Sequence, residues 1–341
     1  MTDISPNNLI QKISGLLNDA RQRVLQSVNH TMVVTYYEIG RMIVEEEQNG
    51  KERADYGKQL ISTLSEKLTK DFGRGFSQRN LEQMRQFYLV YSKAQTLSAQ
   101  SGKEQPLSEF RLSWSHYLKL MRIDDSQERR FYEIECHRNN WSLRELNRQY
   151  DSALFARLAL SRNKSEVMKL AEKGQVLEKP QDAIKDPYVL EFIGLPEQSY
   201  YSESDLEQRL IDKLEHFLLE LGTGFTFVAR QHRISFDDKH FRIDLVFYNR
   251  ILRCFVLIDL KVGELKHQDI GQMQMYVNYY DRKVKLEEEN KTIGIILCQN
   301  KSEAVVEFTL PENNQQIFAS KYLTVLPSRE ILAKLISENS L

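Results

Sequence analysis

Hydrophobic and polar positions divide this chain into a helical first half and a mixed second half. Ile13, Leu17, Val24, Val28 and Met32 recur at near-helical spacing, which predicts a first helix. A second helical pattern covers Val33 to Glu46, with Tyr36, Tyr37, Ile39, Ile43 and Val44 apolar. Tyr56, Leu60, Ile61, Leu64 and Leu68 make a third. Gly73 and Gly75 then break the pattern, and Ser77 is placed to cap a helix carrying Leu81, Met84, Phe87, Tyr88 and Tyr91. Residues 93–109 are polar, contain Gly102 and Pro106, and read as a loop. Helical runs resume at Trp114 and Tyr117, at Ser126 to Cys136, and after Trp141, where Ser142 and Glu145 fit a capping box.

Residues 161–190 are rich in Lys and Glu and hold Gly174, Pro180 and Pro187, the marks of a linker region. Beyond them the period changes. Asp205 to Leu221 reads as a helix ending before Gly222 and Gly224. Phe225 to Ile234, Ile243 to Tyr248 and Leu252 to Lys261 read as strands, with turns at Phe236 to His240 and at Asn249–Arg250. Ile270 to Tyr280 is predicted helical, Thr292 to Cys298 a buried strand, Tyr322 to Leu326 a further strand and Glu330 to Ile336 a terminal helix. The order α-β-β-β-α-β predicts a mixed sheet flanked by helices. The expected domains are 1–165, a linker at 166–187, and 188–341.

Composition narrows the class. The chain has 341 residues and a net charge of -1, without a signal peptide or an apolar run long enough to span a membrane. Residues 1–180 carry 28 basic against 23 acidic side chains, and the remainder 19 against 25. A mildly basic first half permits contact with nucleic acid. The acidic second half suits a site that gathers carboxylates. Cys136, Cys254 and Cys298 are widely separated and fit no zinc spacing. An intracellular, cytoplasmic setting is expected.

Two apolar strands each carry an aspartate, Asp244 and Asp259, and Lys261 follows two residues past the second. Burying an unpaired carboxylate costs several kcal/mol, about 3–5 for a broken buried pair, so charges in such strands call for a reason. Asp259 and Lys261 point to one face of their strand, and a hairpin can set Asp244 beside Asp259. Two adjacent carboxylates repel, and a divalent cation relieves that repulsion. Such a cation binds a phosphate oxygen and a water whose pKa it lowers. Lys261 is placed to orient that water or to steady charge on phosphorus.

Glu207, in line with Ile211, Leu214 and Leu218, is a candidate third acid, with Glu203 a weaker substitute. Gln272 and Tyr276 share a helix face four residues apart. His267, His232 and His240 read as solvated residues rather than site groups. Arg74, Arg79 and Arg85 surround the glycine break and are the candidate phosphate contacts of the first half.

The chain resembles the YhcG-type proteins of the PD-(D/E)xK nuclease superfamily over nearly its whole length. In the first half the resemblance rests on YYEIGRMI, YGKQLISTLSEKL, GRGFSQRNLEQMRQFY, LSWSHYLKL and WSLRELNRQY. In the second it rests on EFIGL, LLELGTGFTFVARQHRI, FRIDLVFYNRILRCFVLIDLK and GQMQMYVNYY. It implies a multidomain chain: an all-α, winged-helix-like N-terminal domain and an α/β restriction-endonuclease-like C-terminal domain. Asp244 takes the aspartate of the motif, Asp259 its acidic position and Lys261 its lysine. Glu207 matches the helix glutamate of several branches, and Gln272 and Tyr276 match a QxxxY element of recombination-type members. Ile243 stands where the motif has proline, and the second acid is Asp rather than Glu. The resemblance implies Mg²⁺ or Mn²⁺, a DNA substrate, and a role in recombination, repair or defence. A homodimer and a protein partner for the N-terminal domain are further expectations. A non-catalytic DNA- or protein-binding module is the alternative, since folds outlive activities. An RNA nuclease is a third reading, because the site chemistry alone does not choose the sugar.

Overall fold

The structure is a computed structural model, and it describes residues 6–49, 54–99, 110–160, 164–195 and 201–326. The chain forms two compact units that divide between Asn147 and Arg148.

The first unit is helical: α1 (Pro6–Asn49), α2 (Ala54–Phe72), α3 (Gln78–Ala99), α4 (Trp114–Leu120) and α5 (Ser126–Asn139), followed by α6 (Leu143–Asp151), within which the division falls. The two apolar patterns expected before residue 47 are one continuous helix, since no glycine or proline occurs in residues 16–39, where the patterns join. α3 runs through 93–99, where a loop was expected. Lys93, Ala94, Gln95 and Leu97 are all good helix formers, and the breakers come later. The rest of that loop, 100–109, lies outside the described residues.

Ser77 caps α3 by accepting the Asn80 N–H, after a 3-10 turn at Arg74–Phe76. α1 and α3 cross closely at Gly40, where an added Cβ would stand 2.1 Å from the Met84 carbonyl oxygen. Tyr37, Phe87, Tyr91, Phe110 and Tyr117 stack edge-on and tilted around that crossing. No strand, the element a β-wing requires, occurs among the described residues of this unit.

The second unit opens with α7 (Leu154–Leu160) and α8 (Lys164–Lys173). These helices occupy part of the stretch where composition suggests a linker. A buried ion cluster ties this segment to the sheet domain. Arg157 Nη1 lies 2.6 Å from Glu220 Oε1, and both side chains are fully buried. Arg148 reaches Glu191 and Glu220, and Lys185 donates to the Glu220 carbonyl.

The elements that follow are β1 (Tyr188–Val189), α9 (Glu203–Asp212), α10 (Leu214–Leu221), β2 (Phe225–Phe236), β3 (Lys239–Asn249), β4 (Cys254–Glu264), α11 (His267–Lys283), β5 (Ile293–Asn300), α12 (Glu303–Thr309) and β6 (Ile317–Leu323). The single helix expected over Asp205 to Leu221 is two. Lys213, at φ -118° and ψ 31°, leaves helical geometry between them. Ser202 caps the first through a box with Asp205. The last strand lies earlier than expected, because Ala319, Ser320 and Lys321 blur its apolar signal. The expected terminal helix, Glu330 to Ile336, is outside the described residues.

The strands form one sheet in the order β1-β6-β5-β4-β3-β2. β2, β3 and β4 pair antiparallel, and β4, β5, β6 and β1 pair parallel. α9 and α10 cover one face over Leu206, Leu210, Phe217, Phe247 and Ile258. α11 covers the other over Leu257, Met273, Val277 and Ile296. Gly294 lets α11 approach β5, since a Cβ there would lie 2.5 Å from Met273 Cγ and Sδ. Among the described residues no helix is long and apolar enough to cross a membrane. The three cysteines are buried and unpaired.

Candidate active site

The β3–β4 ladder stops at the pair Leu245↔Ile258. One step further along that register stand Asp244 and Asp259, where the two strands part. The fork frees backbone groups that side chains then satisfy. Asp244 Oδ2 accepts the Leu260 N–H at 2.8 Å. Asp259 is 2 % exposed, and its Oδ2 lies 2.9 Å from Lys261 Nζ. Burial, followed by the charge of Asp244, pushes the Asp259 carboxyl up to about 7, against the pull of Lys261. Burial alone would lower the Lys261 ammonium, but Asp259 and then Glu203, at 3.8 Å, hold it above its ordinary value.

Glu207 projects from α9 and is buried. Burial raises its pKa. Its Oε1 lies 3.2 Å from Arg230 Nε, and its Oε2 accepts from the Gln231 amide. The same amide nitrogen donates to Asp244 Oδ1 at 3.1 Å. Gln231 therefore links the third acid to the first. It was not singled out in the sequence, where it is one polar residue in a strand of alternating character. Only the register reveals it: pairs Arg230↔Leu245 and His232↔Ile243 set Gln231 opposite Asp244. Gln231 also holds φ at 47°, a left-handed conformation that non-glycine residues seldom adopt in a strand. Strained backbone of this kind gathers at functional sites.

Gln272 and Tyr276 meet on α11, where the amide donates to the phenol. Tyr276 is fully buried, and burial raises its hydroxyl to about 12, so it stays neutral. It donates to the Arg242 carbonyl at 2.9 Å, pinning β3 just before Asp244. His267, the first residue of α11, is exposed. His240 meets Ser235 at 2.9 Å, and His232 packs near the Tyr280 ring.

The donors at the fork are all oxygens, the set hard cations such as Mg²⁺ and Mn²⁺ prefer. Asp244 and Asp259 form a repelling pair, which a cation fits. No three acidic, histidine or cysteine side chains converge as a metal cluster among the described residues. Gln231 stands between Glu207 and Asp244 instead.

In the first unit, Arg79 and Arg85 line a cavity of about 790 Å³ together with Glu47, Glu82 and Arg122. Arg85 Nε is paired with Glu47 Oε2 at 2.6 Å. Arg74 lies on the 3-10 turn, exposed and outside that lining.

Fold and fork together define a mixed-sheet domain with the acidic motif of the PD-(D/E)xK class. The chain belongs to the YhcG family: the profile of the YhcG PDDEXK nuclease domain matches residues 181–336, and that of the DUF1016 N-terminal domain matches 12–157. It is 41 % identical over 342 residues to a protein of Escherichia coli (strain K12) described as "Putative nuclease YhcG", covering 94 % of this chain and 91 % of that one. Among solved structures, a repair endonuclease from Pyrococcus abyssi matches 37 % of this chain and 49 % of its own, at 18 % identity and a TM-score of 0.26. The structure of an EndoMS-dsDNA2 complex matches 39 % and 49 %, at 17 % identity and a TM-score of 0.27. The chain spans about half the length of these two.

Proposed function

We propose that this protein is a metal-dependent DNA nuclease that hydrolyses phosphodiesters at the fork between β3 and β4. The observation that carries the reading is the pairing of half-buried Asp244 with buried Asp259 at the fork, with Lys261 Nζ 2.9 Å from the second acid. Asp244 and Asp259 would hold Mg²⁺ or Mn²⁺, with Glu207 as the third acid. When bound, such an ion polarises a phosphate oxygen and lowers the pKa of a bound water. Lys261, kept protonated by its acidic neighbours, offers N–H donors to charge developing on the phosphate. Gln231 aligns Glu207 with Asp244. Tyr276, supported by Gln272, fixes the strand that carries Asp244.

The first unit, as a winged-helix-like domain, would grip DNA through Arg74, Arg79 and Arg85, or hold a protein partner. A homodimer would supply two sites for two strands. Three buried, unpaired thiols suit a cytoplasmic protein, and recombination, repair or defence is the setting we infer from the family.

One observation favours a second reading, a non-catalytic binding module. The acids are already engaged by Gln231, Lys261 and the Leu260 N–H, and no three converge among the described residues. Cleavage of linear, nicked and branched DNA with Mg²⁺ or Mn²⁺ decides between them. The nuclease reading expects cuts on at least one substrate, abolished by Asp244→Ala. Absence of cleavage on every substrate, with no heat of metal binding, leaves the module.

A further inference from the structure

We propose that the outer half of the β2–β3 hairpin is a DNA-backbone clamp, in which Arg233 and Arg242 together hold a phosphate next to the one bound at the fork. The register sets Arg233 directly opposite Arg242. Residues directly opposite in an antiparallel pair share a face. On that face the pair stands between two side-chain bridges, Gln231 to Asp244 on the inner side and Ser235 to His240 on the outer side. Cross-strand pairs therefore lead out from the acidic fork in sequence, and the arginine pair is two residues, about 7 Å, beyond Asp244.

Three features argue for an anion there. Like charges placed directly opposite destabilise a sheet, so the free protein holds the arginines together at a cost that a phosphate would remove. Both arginines are exposed, and neither has an ion-pair partner among the described residues, although Asp237 and Asp238 stand at the hairpin tip. Two guanidiniums present forked N–H donors, the geometry that suits phosphate oxygens.

The clamp is also held in place. The Arg242 carbonyl accepts from Tyr276, which ties this point of β3 to α11. Charge on an edge strand can serve only to block sheet-to-sheet pairing. That accounts for Arg233 on β2, the edge strand, but not for Arg242, which lies on the inner strand β3. A strand of DNA reaching the fork must continue to one side of it, and the hairpin offers the paired cations that a neighbouring phosphate needs.

The inference rests on the nuclease reading for its ligand, but its test does not need cleavage. Full-length protein is titrated into labelled duplex DNA in EDTA, and affinity is followed by fluorescence anisotropy over a series of salt concentrations. Each phosphate contact adds roughly 0.9 to the slope of log affinity against log salt. Arg233→Ala/Arg242→Ala removes that one phosphate contact and is expected to lower the slope by about 0.9 and to weaken binding about tenfold at low salt. Arg233→Lys/Arg242→Lys keeps the charge and should keep the slope. Arg282→Ala/Lys283→Ala, an equal loss of charge in the last turn of α11, should leave it unchanged.

A double-alanine slope equal to wild type, or a loss no greater than that of the α11 variant, overturns the clamp. A wild type that prefers an RNA duplex of the same sequence, with the same arginine dependence, overturns the DNA assignment. Wild type that cleaves while the slope stays fixed sinks the clamp alone. Arginine-dependent binding without cleavage sinks the nuclease reading alone.

Discussion

Asp259 is expected to weaken the metal-free protein, and Asp259→Asn should therefore stabilise it. The carboxyl is 2 % exposed and its pKa is raised from 3.8 to about 7, by burial and then by Asp244, even with Lys261 alongside. The folded state thus keeps a proton that the unfolded chain releases near its ordinary value. Between those two pH values the unfolded state binds fewer protons, so stability falls as pH rises through the window and is flat beyond it. The interval from 3.8 to about 7, at 1.36 kcal/mol per pH unit, sets an upper figure of about 4 kcal/mol. Asparagine cannot ionise and escapes this loss. Urea denaturation in EDTA should find the two proteins equally stable near pH 4, with Asp259→Asn ahead by about 2–4 kcal/mol near pH 8. Divalent cation should then stabilise wild type and narrow the gap. A gap that does not open with pH, or a variant that is less stable near pH 8, would refute the reasoning.

Glu220→Ala strands the fully buried Arg157 and should cost about 3–5 kcal/mol by denaturation, whereas the double change Arg157→Met/Glu220→Leu should cost less than either single one. Burial would raise the Glu220 carboxyl, but Arg157, Lys185 and Arg148 together hold it at about 2, so its contribution is full above its ordinary 4.5 and is lost as pH falls from there through about 2. At Gln231, glycine should be tolerated better than alanine by roughly 1 kcal/mol, because both remove the amide but only glycine relieves φ 47°; equal melting temperatures would contradict this. Gly40→Ala drives a Cβ into the Met84 carbonyl and should destabilise by about 1–3 kcal/mol or more, while Gly15→Ala, with open space around it, should stabilise α1 by roughly 0.5–1 kcal/mol.

Asp244, Asp259 and Lys261 were legible in the sequence because charge inside an apolar strand is costly and so stands out. Glu207 was legible for the same reason, on an apolar helix stripe. Gln231 was not, because an uncharged residue in a half-exposed strand carries no such signal and its left-handed backbone leaves no mark in composition. The opposed pair of Arg233 and Arg242 emerges only once the hairpin register is known. Arg85, a candidate phosphate contact, pairs with Glu47, which is distant in sequence, and local pattern has no access to such a partner. The break at Lys213 was equally silent, since the apolar spacing runs through it. α3 extends past its expected end because residues 93–99 are mostly polar yet keep high helix propensity. The mixed sheet followed from period and turn signals, while the end strand β6 was displaced by its small and polar residues.

The measurement that bears most directly on the central claim is single-turnover cleavage of the best DNA substrate by wild type, Asp259→Ala and Lys261→Ala, with Mg²⁺ or Mn²⁺ and with EDTA. The account predicts cleavage by wild type that needs the cation, and its loss in both variants while each remains folded. Cleavage that persists in Asp259→Ala, or that proceeds in EDTA, would contradict a nuclease built on the β3–β4 fork.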